Sequence, residues 1–133
     1  MDKNKQPGIR FDDIILVKEN FWRDYNVPQD SKVDFQIGTG WNMNGNSYSV
    51  ELSSTLRLIS DDKEVLKLEN TFVGAFSVIE GSENMDIEDY IRNNSAALMF
   101  PYIREHISTM TQKSGIKPIL LPPINILALI QHN

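Results

Sequence analysis

The sequence predicts an α+β fold, a four-stranded antiparallel sheet with two C-terminal helices packed on one of its faces. Two observations predict it. From Ile9 to about Ile79 apolar residues recur with a period of two between turn-forming residues, whereas beyond Gly81 the period changes to 3.6. The strands follow one another as a meander and the helices come after them, so the helices have one face of the sheet to cover.

Ile9 to Val17 reads as the first strand, and Asn20 to Ser31 as a long irregular connection that holds Phe21, Trp22, Tyr25 and Pro28. Val33, Phe35 and Ile37 alternate with Asp34 and Gln36 as a half-buried strand does, before Gly38 and Gly40 interrupt the pattern. Asn44-Gly45-Asn46 is a hairpin turn. In the third strand Tyr48, Val50, Leu52, Leu56 and Leu58 point one way, and Ser49, Glu51, Ser53, Thr55 and Arg57 the other. Asp61-Asp62 turns the chain into a fourth strand from about Glu64 to Ile79, with Leu66, Leu68, Phe72, Phe76 and Val78 on the core side. Gly74 marks a bend or a close approach there.

Asp86 to Asn93 forms a short helix, Ser95 caps the main helix, and Gly115 ends it with Lys113 in the last turn. Pro101 lies inside this helix, where a missing donor and a crowded Ala97 carbonyl predict a kink at a cost of about 3 kcal/mol. Pro122-Pro123 starts a final short helix.

At 133 residues the chain forms a single domain, 1–133, able to bury roughly two thirds of its unfolded surface. Its 41% hydrophobic and 23% charged residues are those of a soluble globular protein. A net charge of −5 argues against a nucleic-acid partner, which requires clustered Lys and Arg. The absence of cysteine excludes a disulfide framework, a thiolate metal site and a cysteine nucleophile. The polar amino terminus lacks the apolar core of a secretion signal, and the most apolar stretch, Ile116 to Ile130, is broken by prolines, so a cytoplasmic location without membrane insertion is expected.

No cofactor, metal or catalytic centre is expected. His106 and His132 are the only histidines, Asp61-Asp62 and Asp86-x-Glu88-Asp89 lack the spacing of a calcium loop, and Gly38-Thr39-Gly40 lacks the lysine of a phosphate loop. A thioesterase that wraps a sheet around a helix is disfavoured, because here the helices follow the strands and no carboxylate starts the main helix.

The main helix carries apolar residues over about 200° of its circumference, against the roughly 100° that one sheet requires. A second surface must cover the remainder. Another subunit is the preferred cover, with Met99, Phe100, Ile103, Ile107 and Met110 as interface residues; the short helix and the amino terminus are the alternative.

Leu98-Met99-Phe100-Pro101-Tyr102-Ile103-Arg104-Glu105, followed by Leu121-Pro122-Pro123-Ile124-Asn125-Ile126-Leu127-Ala128-Leu129, resembles the two signature blocks of the SecB family of protein-export chaperones. The resemblance is specific over residues 95 to 129 and looser over the strands. It implies a homotetramer, a dimer of dimers, that holds unfolded precursor proteins and passes them to the SecA motor. By position it implies a client groove of Phe21, Trp22, Tyr25, Phe35, Ile37, Ile126, Leu127 and Ile130, and SecA contacts at Asp13 and Glu69. Val17 stands where the family has an acidic residue used against SecA, and the chain stops at Asn133, so the resemblance supports holding clients more strongly than delivering them. A SecB-like chaperone of a toxin–antitoxin system and a non-chaperone oligomeric scaffold remain as alternatives.

Overall fold

The alternation of the third and fourth strands becomes the centre of the sheet. A computed structural model describes residues 8–79 and 87–121. Its strands are β1 (Ile9–Arg23), β2 (Lys32–Asn44), β3 (Ser47–Ser60) and β4 (Lys63–Val78), arranged antiparallel in the order β1-β4-β3-β2. The register places Tyr48 opposite Phe76, Leu52 opposite Phe72 and Leu56 opposite Leu68, so the apolar sets of β3 and β4 share one inner face. Gly45 supplies a positive φ of 64° in the β2–β3 turn. Asp61 and Asp62, with φ of 51° and 62°, make the two-residue β3–β4 turn that matches the twist of its strands.

Two strands outrun their sequence pattern. β1 continues to Arg23 instead of ending near Val17, because bulges between Phe11 and Asp13 and between Leu16 and Lys18 reset which side chains face inward. Beyond the second bulge the inward residues are Glu19, Phe21 and Arg23, opposite Asn70, Leu68 and Leu66. Two of the three are charged, so the apolar alternation disappears although the strand does not. Phe21 and Trp22 are therefore strand residues rather than loop residues. β2 runs past Gly38 and Gly40, which lie on the outer face opposite Ser53 and Glu51, while Trp41 and Met43 keep up the inner alternation.

The helices cover the inner face. α1 (Ile87–Tyr90), a π-helical turn (Ile91–Ser95) and α2 (Ala96–Lys113) follow one another without a break. Ser95 is therefore interior and not an N-cap: its backbone is helical and its buried hydroxyl makes no capping bond. α2 also passes through Pro101 unbroken. Ala97 and Pro101 are both exposed, so water reaches the carbonyl that the proline leaves without a donor. The helix predicted from Pro122-Pro123 lies outside the described residues.

α2 sets Met99, Phe100, Ile103 and Ile107 onto β3 and β4, where they join Leu52, Leu56, Leu68 and Phe76 in the core. Gly74 is the close approach that its position suggested, since a Cβ there would lie 2.8 Å from Met99 Sδ. Gly115, at φ of 83°, ends the helix, and its N–H donates to the Gln112 carbonyl.

Candidate functional site

After Gly115 the chain doubles back along α2 and is held there by two polar side chains. The buried Thr111 Oγ1 donates to the Ile107 carbonyl at 2.8 Å and accepts the Ile119 N–H at 2.9 Å. Arg104 Nε donates to the Leu121 carbonyl at 2.8 Å, so the arginine of the first signature block ties down the residue just before Pro122. On the opposite side the loop of residues 24–31 leaves β1, and the Ser31 hydroxyl folds it by donating to the Pro28 carbonyl at 2.6 Å.

Loop and returning segment face each other across a cleft of about 530 Å³. Val33 and Leu58 of the sheet form its floor, Val27 and Pro28 line one wall, and Ile116, Pro118 and Ile119 line the other. Lys117 is its single charged lining residue. The lining holds no carboxylate and no imidazole, so it offers burial of apolar groups beside exposed backbone rather than acid–base chemistry. Among the described residues no group of His, Cys, Asp and Glu could hold a metal ion, and no helix is long and apolar enough to cross a membrane.

The sequence-predicted groove residues are dispersed. Phe35 and Ile37 lie on the inner face of β2, opposite Leu56 and Ser54, and both belong to the packed core or its margin. Phe21 is half-buried on the inner face of β1, whereas Trp22 points to the outer face opposite Lys67, so the sheet separates them. Tyr25 is wholly exposed on the loop, and Ile126, Leu127 and Ile130 lie outside the described residues. The residues that do line the cleft escaped the sequence reading. The signal was there in Val27-Pro28 and Ile116-Lys117-Pro118-Ile119, apolar residues beside prolines that hold two connections extended.

Asp13 and Glu69 share the outer face, opposite Ala75 and Asn20 respectively. The register puts them six residues apart along β4, roughly 20 Å, and Lys67 lies 3.9 Å from the Glu69 carboxylate. Of the residues expected at a subunit interface, Met99, Phe100, Ile103 and Ile107 are buried against their own sheet, and Met110 is half-buried. The large apolar side chains that α2 leaves exposed are Leu98 and Tyr102, and Tyr102 meets the Phe11 ring edge-on at 5.9 Å. His106 serves as a contact between helix and sheet, its Nε2 hydrogen-bonded to Glu19 and its ring edge-on to Phe72. At the far end of the sheet, burial pushes the Tyr48 hydroxyl above its usual titration range, and the Glu88 carboxylate adds to that effect.

The sheet is roofed by one long helix whose signature arginine anchors Leu121, the residue before Pro122, and the chain is matched by a known family. The family model described as preprotein translocase subunit SecB matches residues 17–133. The chain belongs to the SecB family. SecB is a family of chaperones, not of enzymes. Among relatives, the protein-export protein SecB of Magnetococcus marinus is 25% identical over 121 residues, covering 90% of this chain and 77% of the relative. That of Methylococcus capsulatus is 26% identical over 136 residues, covering 96% of this chain and 87% of the relative. The SecB-like chaperone Rv1957 of Mycobacterium tuberculosis, solved in complex with a ChAD peptide from the Rv1956 HigA1 antitoxin, has the same fold at a TM-score of 0.73 and 17% identity, with 86% of this chain and 88% of that one covered.

Proposed function

We propose that this SecB family member is a holdase that binds unfolded or precursor polypeptides through their apolar side chains and keeps them competent for export. The observation that carries this reading is the apolar cleft between residues 24–31 and the Gly115–Ile119 segment, floored by Val33 and Leu58. Burying one client side chain gains roughly 1.5 to 3 kcal/mol, and ordering a flexible chain offsets much of that, so a single cleft binds weakly. A homotetramer, a dimer of dimers, multiplies the effect. A client that reaches several clefts gains roughly a hundredfold or more through effective concentration, without any sequence-specific contact.

Support for assembly comes from the surface of α2 and from β1, an edge strand of the sheet among the described residues. Leu98 and Tyr102 are exposed on the helix, and Ile15, Leu16 and Val17 are 52%, 41% and 52% exposed on an edge strand, a combination that invites pairing with another copy. Delivery to SecA is assigned to the outer face that carries Asp13 and Glu69, and the place of action to the cytoplasm. A second reading, a chaperone of an antitoxin, is favoured by the peptide bound to Rv1957.

The test is suppression of aggregation of a chemically denatured client by the full chain, with Val33→Asp and Ile116→Asp as cleft variants. Suppression lost in both variants is expected; no suppression by the parent would retire the holdase. Light scattering should report a tetramer that Leu98→Asp with Tyr102→Asp breaks into smaller species. Titration of SecA against the parent and Glu69→Lys decides delivery, and equal affinities would discard Glu69 as a contact.

A further inference from the structure

Arg23 ends β1 where one wall of the cleft begins, and its side chain crosses to the root of the other wall. Its guanidinium donates from Nε to the Asp24 carbonyl at 2.8 Å, from Nη2 to the Tyr25 carbonyl at 2.7 Å, and from Nη1 to the Ser114 carbonyl. Asp24 and Tyr25 open the loop that supplies Val27 and Pro28. Ser114 precedes Gly115, the first residue of the opposite wall. One side chain thus holds the roots of both.

Each root is anchored in a different part of the fold. The Asp24 N–H donates to the Val65 carbonyl at 2.8 Å, which ties the loop to the sheet, whereas Thr111 ties the returning segment to α2. Among the described residues, the bond from Arg23 to Ser114 is the one hydrogen bond or ion pair that joins the two segments. Its position suits a guanidinium. The Met110, Thr111 and Gln112 carbonyls are taken by the N–H groups of Ser114, Ile116 and Gly115, so the Ser114 carbonyl is left for an outside donor. A cation at the C-terminal end of a helix also complements the helix dipole. Three carbonyls in three directions match a planar fork of donors, which a lysine ammonium on a flexible stem does not reproduce.

We propose that Arg23 is the positioning residue of the cleft: by pinning the two wall roots at one separation it sets the width that an apolar client segment must fit. Arg23 does not line the cleft and acts through the walls that do. The proposal rests on the holdase reading for its functional consequence, but not for its structural one.

The chain has no cysteine, so nitroxide labels can be placed at Gln29→Cys and Lys117→Cys, one exposed residue on each wall, and their separation measured by pulsed electron resonance in the full chain. The parent background should give one narrow distance distribution. Arg23→Lys and Arg23→Gln should broaden it. Unlabelled Arg23→Lys should bind a reduced and alkylated, permanently unfolded polypeptide at least about tenfold more weakly than the parent, with its thermal midpoint close to the parent value. Arg57→Lys is the control, because Arg57 forks onto Asp34 on the outer face, away from the cleft, and should leave both readings unchanged. An unchanged distance distribution or an unchanged affinity in both Arg23 variants would overturn the proposal, as would an equal loss in Arg57→Lys. A parent that binds no unfolded polypeptide would instead retire the holdase, while the distance measurement would still decide whether Arg23 controls the cleft.

Discussion

The centre of the inner sheet face and its β2 flank carry the same alternation and meet different fates. On β3 and β4 the inward Val50, Leu52, Leu56, Leu66 and Leu68 are closed off beneath α2, whereas Val33 and Met43 on β2 remain 49% and 52% exposed. The cause is size. An 18-residue helix is about 27 Å long and about 10 Å across, and strands lie about 4.8 Å apart, so α2 roofs two strands of the four. Apolar flank is what this architecture is obliged to leave over, and the cleft forms where two connections rise beside β2 and only partly cover it.

The largest effect should come from the centre. Ile103 is fully buried, so Ile103→Ala should lose about 2 to 5 kcal/mol in urea unfolding. Val33→Ala on the flank should lose less than about 1 kcal/mol; equal losses would erase the distinction. Gly74→Val should cost about 1 to 3 kcal/mol, because a Cβ there lies 2.8 Å from Met99 Sδ and 3.0 Å from the Phe76 ring, and both must shift. A double-mutant cycle with Met99→Ala should show coupling between the two positions, and simple additivity would mean that the contact is not the cause.

Tyr48 sharpens the comparison at the end of the centre. Its titration is raised in the folded state by burial first and by Glu88 second. Above the ordinary tyrosine range near pH 10 the unfolded chain has released the proton while the folded chain still holds it, so stability falls as pH rises. Thermal midpoints at pH 8 and pH 10.5 should differ by less in Tyr48→Phe than in the parent. The smallest effect belongs to the β3–β4 turn, whose two aspartates do not line the cleft. Asp61 and Asp62 both hold positive φ beside each other's charge, and Asp62→Gly should relieve that backbone and add less than about 1 kcal/mol in urea unfolding, with client binding unchanged.

β3 and β4 were legible because from Tyr48 to Leu58 and from Leu66 to Val78 every inward position apart from Ser54, Asn70 and Gly74 is apolar, and the Ser54 hydroxyl donates to Asn70 Oδ1 at 3.0 Å. The second half of β1 was not, because its inward Glu19 and Arg23 are matched to His106 and to the Ser114 carbonyl, partners some ninety residues away. Trp22 illustrates the same limit. With unbroken alternation it would share the inner face with Ile14 and Leu16, but the bulge at Val17 turns it outward. Of the groove residues, Phe35 and Ile37 were assigned to the right strand and to one face, yet the cleft is lined by loop residues that obey no periodicity.

By itself the sequence determined the order of strands before helices, the apolar face of the central strands, the glycine that ends α2, and the signature blocks that mark the SecB family. These are written in local periodicity, turn chemistry and residue spacing, which act over a few positions along the chain. Only the tertiary structure decided where β1 ends, which face Trp22 takes, and how Arg23 brings residues 24–31 and the segment after Gly115 to opposite sides of one cleft. Those outcomes depend on strand register, on bulges and on hydrogen bonds between residues far apart in sequence, and no local pattern encodes them.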